Sequence, residues 1–357
     1  MLSEDTAALI VLAEQLSRNQ LRKLLAEHAS PSVALRARSR LWRGRIHDQR
    51  ALCDRLGISA TASGETGFPE RLRQIPDPPL VIFHRGESPC YAADSVAAVA
   101  IVGARKASRL GREIAGTLAR TLSEAGVLIV SGLALGIDSA AHRGALDSNL
   151  PASTVAVLGS GLGFVQPVTN IPLAENIVAS GGQLLSEYPP MLRARPYHFP
   201  ERNRLISGLA DVVVVVEASE RSGSLITAKL ALEQGREVLA VPGPVAAANS
   251  RGVNQLLKQG AGLVDCAQDV LDVLGSLGRT SAMPESSSPG QPSELLTPDA
   301  HSLLDTIADA AFGLDELCQQ TGRSAAEISV LLAELELAGF VARTGGGYIR
   351  RPFRGGH

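Results

Sequence analysis

Three short segments hold the residue types that bind an anion. Arg202, Asn203 and Arg204 stand just before a run of five valines, Val212 to Val216, and Ser222, Gly223 and Ser224 stand just after it. Arg105 and Lys106 follow another apolar run, Ala98 to Val102, through Gly103. Guanidinium groups fork toward oxyanions, and backbone N–H groups exposed by glycine at a helix start favour negative charge. That is phosphate chemistry.

The elements that must position these residues follow from hydrophobic pattern. Five successive β-branched residues without polar alternation describe a strand buried on both faces of a parallel sheet. The scheme of strand, loop and helix then recurs. Leu110, Ile114, Leu118 and Leu122 repeat at helical spacing after the first strand, until Gly126. Val127 to Ser131 runs into SGLALGID, residues 131–138, where Gly132 and Gly136 make the turn and Asp138 is placed to cap a helix through His142. His142, preceded by two alanines, is expected to pack or cap rather than catalyse. Thr154 to Leu158 ends at Gly159 and Gly161, and Gln183 to Leu185, the valine run and Glu237 to Val241 complete the series.

This alternation predicts an α/β domain over residues 63–275 with an extended Rossmann-like, doubly wound, mainly parallel sheet. Ligands of such sheets bind at the carboxyl ends of the strands. The candidate site is therefore Gly103, Arg105, Lys106, Gly132, Gly136, Gly159, Gly161, Arg202, Asn203, Arg204, Ser222, Gly223 and Ser224. Internal roles compete at two points. A glycine at a strand end also serves any tight turn into a helix, and Arg105 has Asp138 and Glu217 as alternative internal partners.

Composition removes several chemistries. The formal net charge is −2, so a polyanion site must be a local patch. Cys53, Cys90, Cys266 and Cys318 form no Cys-x-x-Cys pair, and the seven histidines show no metal-ligand spacing, so neither zinc nor a disulfide framework is expected. Gly159, Gly161 and Gly163 miss the last spacing of the dinucleotide fingerprint, and the chain has no Walker loop. No cofactor and no catalytic residue are assigned. Without a basic leader or an apolar run of about 20 residues, the chain reads as cytoplasmic, with no membrane contact.

Two smaller modules flank the sheet. Residues 1–62 read as a small helical, SAM-like domain with seven arginines between Arg36 and Arg55 against Asp48 and Asp54, which is either a solvated helix face or a second, duplex-type DNA contact. Residues 276–294, rich in serine, proline and glycine, read as a flexible linker. Residues 295–352 read as three helices and a hairpin about Gly345 to Gly347, the winged-helix pattern. Between residues 295 and 342 this module has eight acids against Arg323 alone, and its third helix, Ala325 to Ala338, has no base. It suits protein contact better than a DNA groove.

The same segments resemble the DNA-processing protein A (DprA, or Smf) family over nearly all of residues 67–275. FPERLRQIPDPPLVIFHRG at 68–86, IVGARKAS at 101–108, SGLALGIDSAAH at 131–142, SEYPP at 186–190, HFPERNRLISGLAD at 198–211, EASERSGSLITA at 217–228 and VPGP at 241–244 carry the likeness in the family's order. The resemblance implies a non-catalytic mediator of natural transformation. Such a protein binds and protects incoming single-stranded DNA, loads a RecA-type recombinase while countering single-strand-binding protein, and acts as a homodimer. It further implies a basic DNA pocket built on Arg105, the Arg202 to Arg204 motif and the Ser222 to Ser224 loop. One departure is Gln166, Pro167 and Val168, where the family commonly has an aromatic before the proline and often a base after it. Base stacking then falls to Phe164, Tyr188, Tyr197 and Phe199. The alternatives are a Rossmann-type nucleotide hydrolase using Glu187 and Glu217, and a transcription regulator acting through the winged helix.

Overall fold

The valine run is the centre of the sheet. In a computed structural model, which describes residues 3–38, 42–86, 96–279, 298–306, 312–337, 341–344 and 347–350, Val212 to Val216 are all buried. The chain forms two compact units, Met1–Ala282 and Met283–His357.

The first unit opens with four helices, α1 (Glu4–Ala13), α2 (Arg18–Ala26), α3 (Pro31–Arg38) and α4 (Trp42–Leu56). Strand β1 (Ser59–Ala62), the short α5 (Glu70–Arg73) and β2 (Val81–Arg85) follow. The alternating series comprises β3 (Ala98–Val102), α6 (Arg109–Glu124), β4 (Leu128–Ser131), α7 (Ile137–Leu146), β5 (Thr154–Val157), α8 (Ile171–Ala179), β6 (Gln183–Ser186), α9 (His198–Leu209), β7 (Val212–Val215), α10 (Gly223–Glu233), β8 (Glu237–Ala240), α11 (Arg251–Lys258), β9 (Gly262–Leu263) and α12 (Ala267–Ser276). The nine strands lie in the order β1-β2-β6-β5-β4-β3-β7-β8-β9. From β6 to β9 every neighbour pair is parallel, while β1–β2 and β2–β6 are antiparallel. Winding reverses between β3 and β7, which pair from Val99 with Val212 to Val102 with Val215.

Side chains alternate to opposite faces of each strand, and each face has its own core. Ala100, Val102, Val130, Val213 and Val215 pack under Leu205, Ile206 and Leu209 of α9. Val99, Ile101, Ile129, Val212 and Val214 pack under Ala115, Leu118 and Leu122 of α6. The front helices have no separate core. Ile10, Leu12 and Leu35 share a cluster with Phe83 of β2, Ala156 of β5 and Leu184 of β6. Residues 1–62 thus belong to the compact unit that contains the sheet, because the antiparallel end strands and α8 supply the apolar surface that short, arginine-rich helices lack.

Strands β1, β2 and β9 and helices α5, α8, α9, α11 and α12 escaped the sequence pattern. Strand β1 is made of small residues, β2 follows the proline-rich Pro76 to Pro79 segment, and β9 spans two residues. Helix α9 has Pro200 in its first turn and Gly208 near its end, which obscures its period.

The second unit holds α13 (Pro298–Thr306), α14 (Leu314–Thr321), α15 (Ala325–Leu337) and the antiparallel pair β10 (Val341–Thr344) and β11 (Gly347–Arg350). Leu303, Leu317, Ile328, Leu332 and Val341 form its core. It is a winged helix. The segment read as a linker lies outside the described residues from 280 onward, as does the hairpin tip at 345–346.

Candidate functional site

At the switch between β3 and β7, one strand feeds α6 on one face and the other feeds α10 on the opposite face, which leaves a crevice at their carboxyl ends. A cavity of about 400 Å³ occupies it. Its walls are the loop from Gly103 to Lys106, the first half of α9 with Phe199, Arg202 and Asn203, and the start of α10 with Ser222, Gly223 and Ser224. Eight of the candidate residues are therefore brought together.

Arg105 is exposed at the mouth, with its guanidinium carbon 5.1 Å from the centre of the Phe199 ring. Neither internal partner claims it. Glu217 instead accepts from the Ser108 N–H at 2.9 Å and the Ser108 hydroxyl at 2.5 Å, at the start of α6. Asp138 accepts the Gly132 N–H at 3.2 Å and the Ala134 N–H at 3.4 Å. Asp138 therefore fastens the loop before α7 and does not cap the helix; the N-cap is Gly136. The mouth combines a solvated cation with a flat apolar ring.

The opposite wall is a helix start. Ser222 is the N-cap of α10, and its hydroxyl accepts from the Ser224 N–H and lies 2.7 Å from the Ser224 hydroxyl. Asn203 Nδ2 donates to the Gly223 carbonyl at 3.3 Å, tying α9 to this turn. Asn249, which the sequence pattern missed, lines the cavity and donates to the Lys106 carbonyl at 3.0 Å. Its signal was weak because it lies in a single 3-10 turn, Ala248–Ser250, outside the cationic segments.

Arg202 forms the floor. Its Nη1 donates to the Gly132 carbonyl at 2.8 Å and to the Val157 carbonyl, so it bolts α9 onto the ends of β4 and β5. Burial pulls its pKa down to about 10, opposed by the Asp138 carboxylate, and it stays charged at neutral pH. Burial likewise pushes the Asp138 carboxyl up, opposed by Arg202. Beneath them His142 is fully buried, with Nδ1 2.8 Å from the Thr154 hydroxyl, which in turn donates to the Ile129 carbonyl. That chain fixes the Nδ1–H tautomer, and burial drives the imidazole pKa down to about 3.

Arg204 lies elsewhere. Its Nε donates to Asp77 at 3.0 Å and its Nη2 to Glu187 at 2.6 Å. Arg18 of α2 pairs with the same two acids, and Arg22 with Asp77. Residues two apart on a helix point about 200° away from each other. Arg202 and Arg204 therefore cannot face one pocket.

Four glycines of the candidate set shape the loops without lining the cavity. A Cβ on Gly136, which has φ +84°, would lie 2.2 Å from the Ala104 carbonyl oxygen, and one on Gly132 would lie 2.7 Å from Asp138. Gly159 faces the Phe199 ring, and Gly161 abuts the backbone of Pro189. Of the aromatic candidates, Tyr188 is buried and stacked on His198, Phe164 lies under Arg193 at 4.9 Å, and Tyr197 is exposed. Asp265, Cys266 and Asp269 converge at the start of α12, where Asp269 accepts the N–H groups of Asp265 and Cys266 at 2.9 and 3.1 Å as a helix cap.

A doubly wound sheet with a cationic pocket at its switch point, joined to a winged helix, defines a Rossmann-like protein of two units. The sequence model described as DNA recombination-mediator protein A matches residues 59–275, and the DprA winged helix domain matches residues 287–347. The chain belongs to the DNA recombination-mediator protein A family, also called DprA or Smf. It is 42% identical to Protein Smf of Escherichia coli over 286 residues, which cover 79% of this chain and 75% of that one. DNA processing protein DprA of Bacillus subtilis is 38% identical, over 61% of this chain and 72% of that one. Among solved structures, DNA processing protein A of Streptococcus pneumoniae superposes with a TM-score of 0.58 at 32% identity, covering 76% of this chain and 93% of that one. That of Helicobacter pylori, described as revealing a unique single-stranded DNA binding mode, gives 0.54 at 30%, covering 61% and 96%. Among the described residues, no helix is long and apolar enough to cross a membrane.

Proposed function

We propose that this protein binds single-stranded DNA in the switch-point pocket without turning it over. The observation that carries the reading is Arg105, a solvated cation with no ion pair among the described residues, held against Phe199 opposite the start of α10. A phosphate between Arg105, Lys106 and the Ser222 to Ser224 turn meets charge and N–H donors, and a base meets the ring. The Helicobacter pylori relative, whose structure is described by its single-stranded DNA binding, supports the assignment. In this reading Gly103, Asn203, Ser222, Gly223 and Ser224 form the pocket wall, while Arg202, Arg204, Gly132, Gly136, Gly159 and Gly161 hold that wall in place.

Binding is favoured over hydrolysis because the carboxylates a nucleotide hydrolase would use are committed. Glu217 holds Ser108, the N-cap of α6, Glu187 serves Arg204 and Arg18, and Asp138 serves loop amides. As a family member, the chain is proposed to work in the cytoplasm as a homodimer, protecting incoming strands during transformation. There it would load a RecA-type recombinase against single-strand-binding protein.

The test is fluorescence anisotropy with single-stranded and duplex oligonucleotides over a salt series, followed by recombinase filament assembly on strands coated with single-strand-binding protein. Single strands are expected to bind more tightly, with log affinity linear in log salt. The same filament assembly with and without this protein checks the loading role. Release of free base from a nucleotide panel at turnover rates would replace the binding reading with the hydrolase. Loss of DNA binding on deleting residues 290–357 would favour the regulator.

A further inference from the structure

Helix α4 presents a second cationic surface, which shares no lining residue with the pocket. Its Ile46, Gln49 and Cys53 are buried, fixing its orientation, while Arg43, His47 and Arg50 rise beside that stripe at intervals of four and three residues. With Arg36 of α3 and Trp42 they line a depression of about 310 Å³. Arg36 pairs with Glu4 at 2.6 Å. Arg43 and Arg50 have no ion pair among the described residues, and the Nε of Arg50 is buried there without a hydrogen-bond partner.

We propose that this face is a second nucleic-acid contact that holds backbone phosphates and reads no base. It rests on the single-strand-binding reading above, since it engages a strand already held in the pocket. Three features point to phosphate. Unpaired guanidinium groups in a row along a rigid helix match repeating anions. The half-buried Arg50 has neither an ion pair nor, at its Nε, a hydrogen-bond partner among the described residues, so its charge is left uncompensated by the protein. Trp42 is the available ring, but where Phe199 carries one guanidinium Trp42 carries two, those of Arg36 and Arg43 at 4.3 and 5.1 Å from its centroid, so it backs the arginines instead of stacking a base. A strand held at both surfaces binds by avidity, so only long strands profit from the second.

The experiment compares the wild-type chain with Arg43→Glu and with Arg43→Glu plus Arg50→Glu. The probes are an oligo-dT of about six nucleotides, near the lower site size of single-strand binders, and one several times longer. For the long strand, the slope of log affinity against log salt is expected to shrink by about 0.7 per arginine lost. Affinity for the short strand should stay unchanged, and Arg43→Lys should keep the wild-type slope. Thermal melting monitors the double variant; Arg43 is exposed, so its single reversal carries the test if Arg50→Glu unfolds the chain. An unchanged long-strand slope in folded Arg43→Glu overturns the second contact while leaving the pocket intact. A wild-type chain that binds neither strand overturns the pocket reading itself, and this one with it.

Discussion

The mouth and the floor of the pocket both contain arginine, yet the guanidinium groups live in opposite surroundings. Arg105 is exposed, touches an aromatic ring and has no ion pair among the described residues. Arg202 is buried against two strand-end carbonyls, and Arg204 is buried between Asp77 and Glu187. Water hydrates the first. The others lost their water on folding and are tolerable only because fixed acceptors replace it. A cation buried against fixed carbonyls or carboxylates is an anchor, even though the Nε of Arg202 and one Nη of Arg204 find no acceptor, whereas one still facing solvent is free to take a ligand. If that division holds, floor variants should change stability, and mouth variants should change binding alone.

The largest expected effect is therefore on stability, from Arg204→Met. Removing one partner from a buried ion pair typically costs about 3–5 kcal/mol because the stranded charge stays behind. Arg18 still contacts both Glu187 and Asp77, so the cost should fall near the lower end, about 3 kcal/mol. Denaturant unfolding measures it. A loss within about 0.5 kcal/mol, the usual range for surface positions, would return Arg204 to the candidate ligands.

Next in size is a pH effect of the floor. The folded state holds His142 neutral down to about pH 3, whereas the unfolded chain takes up that proton near the ordinary 6.5. The unfolded state then binds more protons across this window, so stability is complete above pH 6.5 and falls as pH drops toward 3. The slope is at most about 1.4 kcal/mol per unit, or about 2 kcal/mol by pH 5. His142→Gln keeps a donor for the Thr154 hydroxyl and removes the titration. Its stability should fall less than that of the wild type between pH 7 and 5, and parallel profiles would show that His142 is not held neutral by burial.

These tests also separate what the residues announced from what they withheld. The parallel sheet was legible because Val212 to Val216, Ala98 to Val102 and Val155 to Leu158 are short apolar runs without alternation, bounded by glycine or acid, which fits a doubly covered strand better than a helix. The glycine loops were legible as turns at strand ends. The pairing of cations with acids was not. Asp77 lies 127 residues from Arg204, and Arg18 lies 169 residues from Glu187, so only the folded chain reveals that cluster. Helix α9 was the decisive omission. Once Arg202 and Arg204 stand on a helix, their separation by two residues alone sends them to different neighbours, and Pro200 and Gly208 hid that helix. Asp138 shows the same limit on a smaller scale, since its position suited a cap while its carboxylate serves the loop amides.

The smallest expected effect, and the sharpest test of the comparison, is Arg105→Glu. If Arg105 donates to one phosphate, its loss at this exposed site removes a charge-assisted hydrogen bond at the low end of the usual range, about 1.5 kcal/mol, or roughly tenfold in affinity for single strands of any sequence. The salt slope should fall by about 0.7, the value for one counterion on a single strand. Melting temperature should move little, because an exposed side chain without an ion pair gives up only its contact with the Phe199 ring. Arg105→Lys refines the result: it keeps the counterion and hence the slope, but a lysine lacks the planar group that lies over Phe199, so affinity should fall between the two. A melting loss comparable to that of Arg204→Met, with affinity unchanged, would mean that mouth and floor are both scaffold. The phosphate would then have to be sought at Lys106 and the start of α10.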